Sequence, residues 1–79
     1  MWHFVYILRN KDGKNYVGLT DDIDDRLARH NRGEISSTAK FAPWEMAHFA
    51  AFKTRKKAAI YEKYLKSGSG TAFRNKHLV

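Results

Sequence analysis

Cysteine is absent from the 79-residue chain, which excludes both a disulfide framework and a thiolate zinc site. The histidines offer no substitute, because His3, His30, His48 and His77 show no paired ligand spacing. No apolar run approaches the ~20 residues of a membrane-spanning helix. The segment Met1–Leu8 is apolar, yet it lacks the basic n-region and the small-residue cleavage site of a signal peptide. No internal repeat is present, and no linker is long enough to separate domains. These absences leave a single domain over residues 1–79, expected in the cytoplasm and off the membrane. A chain of this length buries only ~60% of its unfolded surface, so its core is thin. With 43% hydrophobic and 14% aromatic residues, it has enough apolar material to fold.

Acidic residues are scarce in the last third. Residues 1–52 hold seven basic and seven acidic side chains; residues 53–79 hold eight basic ones against Glu62 alone, giving the chain its +7. A basic third on a neutral body is the electrostatic footprint of a polyanion binder. The candidate phosphate contacts are Lys40, Lys53, Arg55, Lys56, Lys63, Lys66 and Arg74. Without base-reading chemistry, such contacts are independent of sequence.

Residues 3–9 are mostly aromatic or β-branched without polar alternation, which predicts a central strand covered on both faces. Asn10–Lys14 contains the Asp-Gly of a hairpin loop, and Asn15–Leu19 is the return strand. Gly18 within it marks a bend or the close approach of another group to the backbone. A helix capped by Thr20 or Asp21 follows, running to Asn31 or Arg32 and ended by Gly33. Ser36–Lys40 is a loop or one helical turn. Trp44–Phe52 reads as a third strand. Thr54 caps a second long helix to Leu65 or Lys66, closed by Ser67-Gly68-Ser69-Gly70, and the last nine residues supply a short helical turn. The order β-β-α-(short α)-β-α describes an α+β domain.

Charges fall on faces that should pack inward. The first helix aligns Ile23, Leu27 and His30 at i, i+4 and i+7, with Arg26 in the same stripe at i+3. The second aligns Ala58, Tyr61 and Leu65, with Glu62 among them. Tyr6 and Tyr16 add two hydroxyls on the hairpin strands. A half-buried charge needs a partner, since desolvation costs several kcal/mol. Arg26 either bridges to Glu62, pairs with Asp22, or lines a cleft for a phosphate and a metal ion.

Phe4-Val5-Tyr6, followed after nine residues by Tyr16-Val17-Gly18, resembles the paired tripeptides of the GIY-YIG nuclease superfamily. The run Gly18-Leu19-Thr20, Arg26-Leu27, His30-Asn31 and Gly33 is similar to that family's signature helix, and Glu62 matches its carboxylate position. The first glycine is Phe4 here, and both middle isoleucines are valine. The Lys66–Gly70 ending is similar to the small stand-alone bacterial members. The resemblance implies a three-stranded antiparallel sheet flanked by helices, and metal-dependent hydrolysis of DNA by one Mg²⁺ or Mn²⁺ ion. It implies Tyr6 as general base, Tyr16 orienting the water or phosphate, Arg26 on the phosphoryl oxygens, and His30 bonded to a reacting tyrosine or phosphate. It further implies Glu62 at the metal and Asn75 near the phosphate. A phenol base of pKa near ~10 calls for a nearby cation to lower it, and Arg26 and the metal are such cations. Chemistry of this kind explains five polar positions on packing faces. Two other readings stay open: a non-catalytic nucleic-acid-binding module, and a protein-interaction domain. A nuclease working with an unidentified protein partner fits the lack of a targeting domain.

Overall fold

The computed structural model describes residues 1–78. Its elements are β1 (His3–Arg9), β2 (Asn15–Thr20), α1 (Ile23–Asn31), a 3-10 turn (Ala39–Phe41), β3 (Glu45–Phe52), α2 (Arg55–Lys66) and α3 (Gly68–His77). The strands form one antiparallel sheet in the order β2-β1-β3, so the fold is α+β with the expected hairpin first. Val5, Tyr6, Ile7 and Leu8 of the central strand are all fully buried, as their unbroken apolar run predicted. The hairpin turn is tied down by Asn10, whose Oδ1 accepts from the backbone N–H groups of Asp12 and Lys14. Gly13 supplies the positive φ, +81°, that the turn requires.

Alternation along the strands divides the core in two. Val5, Ile7 and Val17 pack with Ala58 and Leu65 of α2 on one face. Tyr6 and Leu8 pack with Trp44, Tyr16, Ile23 and Leu27 beneath α1 on the other. The β1–β3 ladder shifts register between Ile7, which faces His48, and Leu8, which faces Met46. Ala47 is thus an extra residue on β3, a bulge in an outer strand.

Two sequence expectations are corrected. Asp22, rather than Thr20 or Asp21, caps α1, its Oδ1 accepting from Asp25 N–H at 3.1 Å. Thr20 Oγ1 instead accepts from Asp22 N–H at 3.1 Å and so sets the cap in place. The segment Ser67–Gly70 does not simply close α2. Ser67 ends that helix and caps α3, with its hydroxyl accepting from Gly70 N–H at 3.1 Å and donating to the Tyr64 carbonyl at 2.6 Å. The expected short turn is therefore a ten-residue helix beginning at Gly68; Val79, the end of that expectation, lies outside the described residues. The reason is close packing: a Cβ at Gly70 would collide with the Tyr64 carbonyl, so only glycine lets α3 lie against α2 here.

Candidate active site

The site is built on the α1 face of the hairpin. Tyr6 on β1 sits opposite Gly18 on β2, and its ring crosses over that residue. A Cβ at Gly18 would collide with the phenol ring and hydroxyl. The missing side chain thus opens the track along which Tyr6 extends toward α1. Tyr16 is opposite Leu8 on the same face. The Tyr6 and Tyr16 rings lie 6.4 Å apart between centroids.

His30, in the last turn of α1, closes the group. Its ring meets Tyr6 at 5.8 Å and Tyr16 at 5.0 Å, edge to face in both cases. Tyr6 Oη and His30 Nε2 are 2.9 Å apart, and His30 Nδ1 is 2.7 Å from Thr38 Oγ1. All three side chains are sealed from solvent, at 1%, 0% and 1% exposure respectively. Burial, helped by the Arg26 and Arg29 charges, holds the imidazole below its usual pKa and hence neutral.

The Tyr6 phenol is pushed up to about 12, first by burial and then by Tyr16. The Arg26 guanidinium, one turn before His30, pulls in the opposite direction and is outweighed; Glu62 adds to the rise. Arg26 thus acts in the expected direction without bringing the phenol down on its own. Desolvation is the larger effect.

Glu62 on α2 is half-buried, and its Oε2 accepts from Lys66 Nζ at 3.3 Å across one helical turn. Neither the Arg26–Glu62 bridge nor the Arg26–Asp22 pair forms among the described residues; Glu62 turns to Lys66 and Asp22 is spent as a cap. No group of three metal-ligating side chains occurs among the described residues. The donor set fits a hydrated hard cation completed by substrate phosphate, since Mg²⁺ binds through one or two carboxylates and keeps several waters. It does not fit a resident ion caged by protein alone. A cleft of about 270 Å³ lies beside Tyr16 and Thr38, lined also by Lys14, Ser37, Phe41 and Trp44.

The model of the GIY-YIG catalytic domain matches residues 2–76. The chain belongs to this family. The GIY-YIG domain is 37% identical over 67 residues to a UPF0213 protein of Haloquadratum walsbyi, covering 84% of this chain and 75% of that one. A UPF0213 protein of Staphylococcus saprophyticus is 32% identical over 68 residues, covering 85% and 83%. Among solved structures, the solution structure of a UPF0213 protein from Bacillus halodurans superposes with a TM-score of 0.59 at 32% identity, covering 96% of this chain and 84% of that one. The family is one of nucleases, generally endonucleases that use a divalent metal.

The basic residues of this GIY-YIG domain are less available than their number suggests. Lys40, Arg55, Lys56 and Lys63 are exposed, as is Asn75 on α3. Lys53 lies over the Trp2 ring at 4.9 Å, and Lys66 is engaged by Glu62. Arg74 is half-buried, with Nε and Nη1 enclosed and without hydrogen-bond partners. Sequence reasoning missed Thr38, Asn31 and Trp44. Trp44 Nε1 donates to the Thr38 carbonyl at 3.1 Å, and the Asn31 amide clamps the Trp44 backbone on both sides. The one signal was the tryptophan itself, whose N–H needs a partner when buried.

Proposed function

We propose that this domain is a DNA endonuclease that hydrolyses a phosphodiester bond with one Mg²⁺ or Mn²⁺ ion. The reading rests on one observation above the others: Tyr6, buried over Gly18, is hydrogen-bonded to a neutral His30 with Tyr16 and Arg26 at hand. A phenol at about 12 keeps its proton, so it acts as a base only by passing that proton on. As the attacking water loses a proton to the phenol oxygen, the phenol's own proton moves to His30 Nε2. The water's oxygen then bonds to phosphorus, and the electron pair of the breaking P–O bond leaves with the departing oxygen. Tyr16 orients the water or the phosphate. Arg26, one turn before His30, stabilises the charge that grows on the phosphoryl oxygens. Glu62 would hold the cation, which would supply charge neutralisation at the departing oxygen.

Lys40, Lys53, Arg55, Lys56, Lys63, Lys66, Arg74 and Asn75 are the proposed backbone contacts. Because they carry no base-reading pattern, selectivity falls to the shape of the DNA, such as a flap or branch. The test is a panel of labelled single-stranded, duplex, flap and branched DNAs with Mg²⁺, Mn²⁺ or EDTA. Products are expected with metal and lost with EDTA or in Glu62→Ala, whose folding and DNA binding stay near wild type. Undiminished cleavage by that variant overturns the metal assignment. Tight binding without products favours a second reading, a non-catalytic nucleic-acid-binding module.

A further inference from the structure

We propose that Thr38 is a positioning residue of this site, holding the His30 ring with its proton on Nδ1 so that Nε2 is free to accept from Tyr6. The inference deepens the nuclease reading and rests on it for its kinetic consequence. Tyr6 is 1% exposed, so its hydroxyl proton cannot be given to bulk water, and His30 Nε2 at 2.9 Å is the acceptor within reach. Nε2 must then carry a lone pair, which places the ring proton on Nδ1. At 2.7 Å, that N–H donates to Thr38 Oγ1. The threonine hydroxyl in turn donates to the Ile35 carbonyl at 3.3 Å, a group that also accepts from the N–H groups of Thr38 and Ala39. Read in this direction, every buried donor has an acceptor. The opposite direction leaves the Tyr6 proton stranded, and an unsatisfied buried group costs about 1–3 kcal/mol.

A second set of bonds keeps Thr38 from drifting. Its carbonyl accepts from Trp44 Nε1 at 3.1 Å. The Trp44 backbone is held by Asn31, whose Oδ1 accepts from Trp44 N–H at 2.6 Å and whose Nδ2 donates to the Trp44 carbonyl at 3.0 Å. Asn31 follows His30 on α1. The end of α1, the start of β3 and the intervening loop therefore form a closed circuit, and His30 and Thr38 are fixed to each other through both side chain and backbone. The groups facing His30 are Tyr6 from β1, Tyr16 from β2, Arg26 and Arg29 from its own helix, and Thr38 from the loop. Thr38 is the member of this set that bonds Nδ1.

The test compares Thr38→Val, which keeps the shape and removes the hydroxyl, with Thr38→Ser, which keeps the hydroxyl. Nitrogen-15 NMR of the imidazole in the DNA-free protein reads the tautomer directly. Wild type and Thr38→Ser are expected to carry the proton on Nδ1, and Thr38→Val to shift it toward Nε2. Cleavage by Thr38→Val is expected to fall at least about tenfold in kcat, and Thr38→Ser to restore most of the loss. A wild-type ring protonated on Nε2 overturns the proposal whether or not the valine variant folds. So does a valine variant with unchanged tautomer and rate. If wild type cleaves no substrate, the nuclease reading fails while the spectrum still decides the role of Thr38.

Discussion

Two histidine–tyrosine hydrogen bonds lie on opposite faces of the sheet: Tyr6 with His30 at 2.9 Å beneath α1, and Tyr61 with His48 at 3.1 Å between α2 and β3. In both, burial lowers the imidazole and raises the phenol. The surroundings differ. His48 is half-buried against the Tyr61 ring, and its shift comes from burial alone. His30 is sealed, its second nitrogen is bonded to Thr38, and two arginines act on it. Tyr6 additionally has Tyr16 beside it and Gly18 beneath it. The pair alone is ordinary core chemistry; the bonded second nitrogen and the nearby cations distinguish the copy to which the proposed proton transfer is assigned.

The comparison breaks most visibly on the phenols. Tyr6→Phe is expected to lower the cleavage rate by about 10³-fold, within the range a positioned base contributes. Tyr61→Phe should leave the rate within about twofold. Equal losses measured side by side on one DNA substrate would erase the distinction. Gly18→Ala comes next. The new methyl must displace the Tyr6 ring, and a misplacement of about 1 Å costs about 100-fold, so the rate should fall by that order while the domain still folds. An active Gly18→Ala would show that the ring track is not needed.

The smallest effect is in stability against pH. Both histidines titrate below their usual range when folded, while in the unfolded chain they titrate near ~6.5. Below that pH the unfolded state takes up protons that the folded state refuses, so stability falls on acidification, by at most about 1.4 kcal/mol per pH unit for each proton. Because the arginines add to burial at His30, His30→Gln should remove more of this pH dependence than His48→Gln. Urea unfolding at pH 7.5 and 5.5 measures both. An equal reduction would mean that the charges on α1 contribute nothing to the asymmetry.

The hairpin, the central strand and both long helices were legible because their signals are local: Asp12-Gly13, the unbroken run Phe4–Leu8, and the Thr54 cap. Tyr6, Tyr16, Arg26, His30 and Glu62 stood out as polar groups on apolar faces. The structure brings the first four together and places Glu62 where its charge reaches Tyr6. What escaped depends on contacts distant in sequence. Nothing local marks Thr38 among Ser36-Ser37-Thr38, because its importance comes from a ring eight residues back and an indole six residues on. Gly68 and Gly70 read as a helix end, because composition does not reveal the Tyr64 carbonyl lying against Gly70. The high pKa of Tyr6 was hidden for the same reason: a nearby cation can be guessed from spacing, but the depth of burial that outweighs it cannot.

The bulge at Ala47 bears on how this protein behaves in concentrated solution. β3 is an eight-residue edge strand with Ala47, Phe49 and Ala51 exposed, and an outer edge of this kind invites another chain to add itself strand by strand. One extra residue near its start breaks the even spacing of the free N–H and C=O groups and increases the local twist. An incoming strand can keep register on only one side of that break. Backbone geometry thus works against strand addition on an edge whose one charged side chain is the exposed Glu45 at its start.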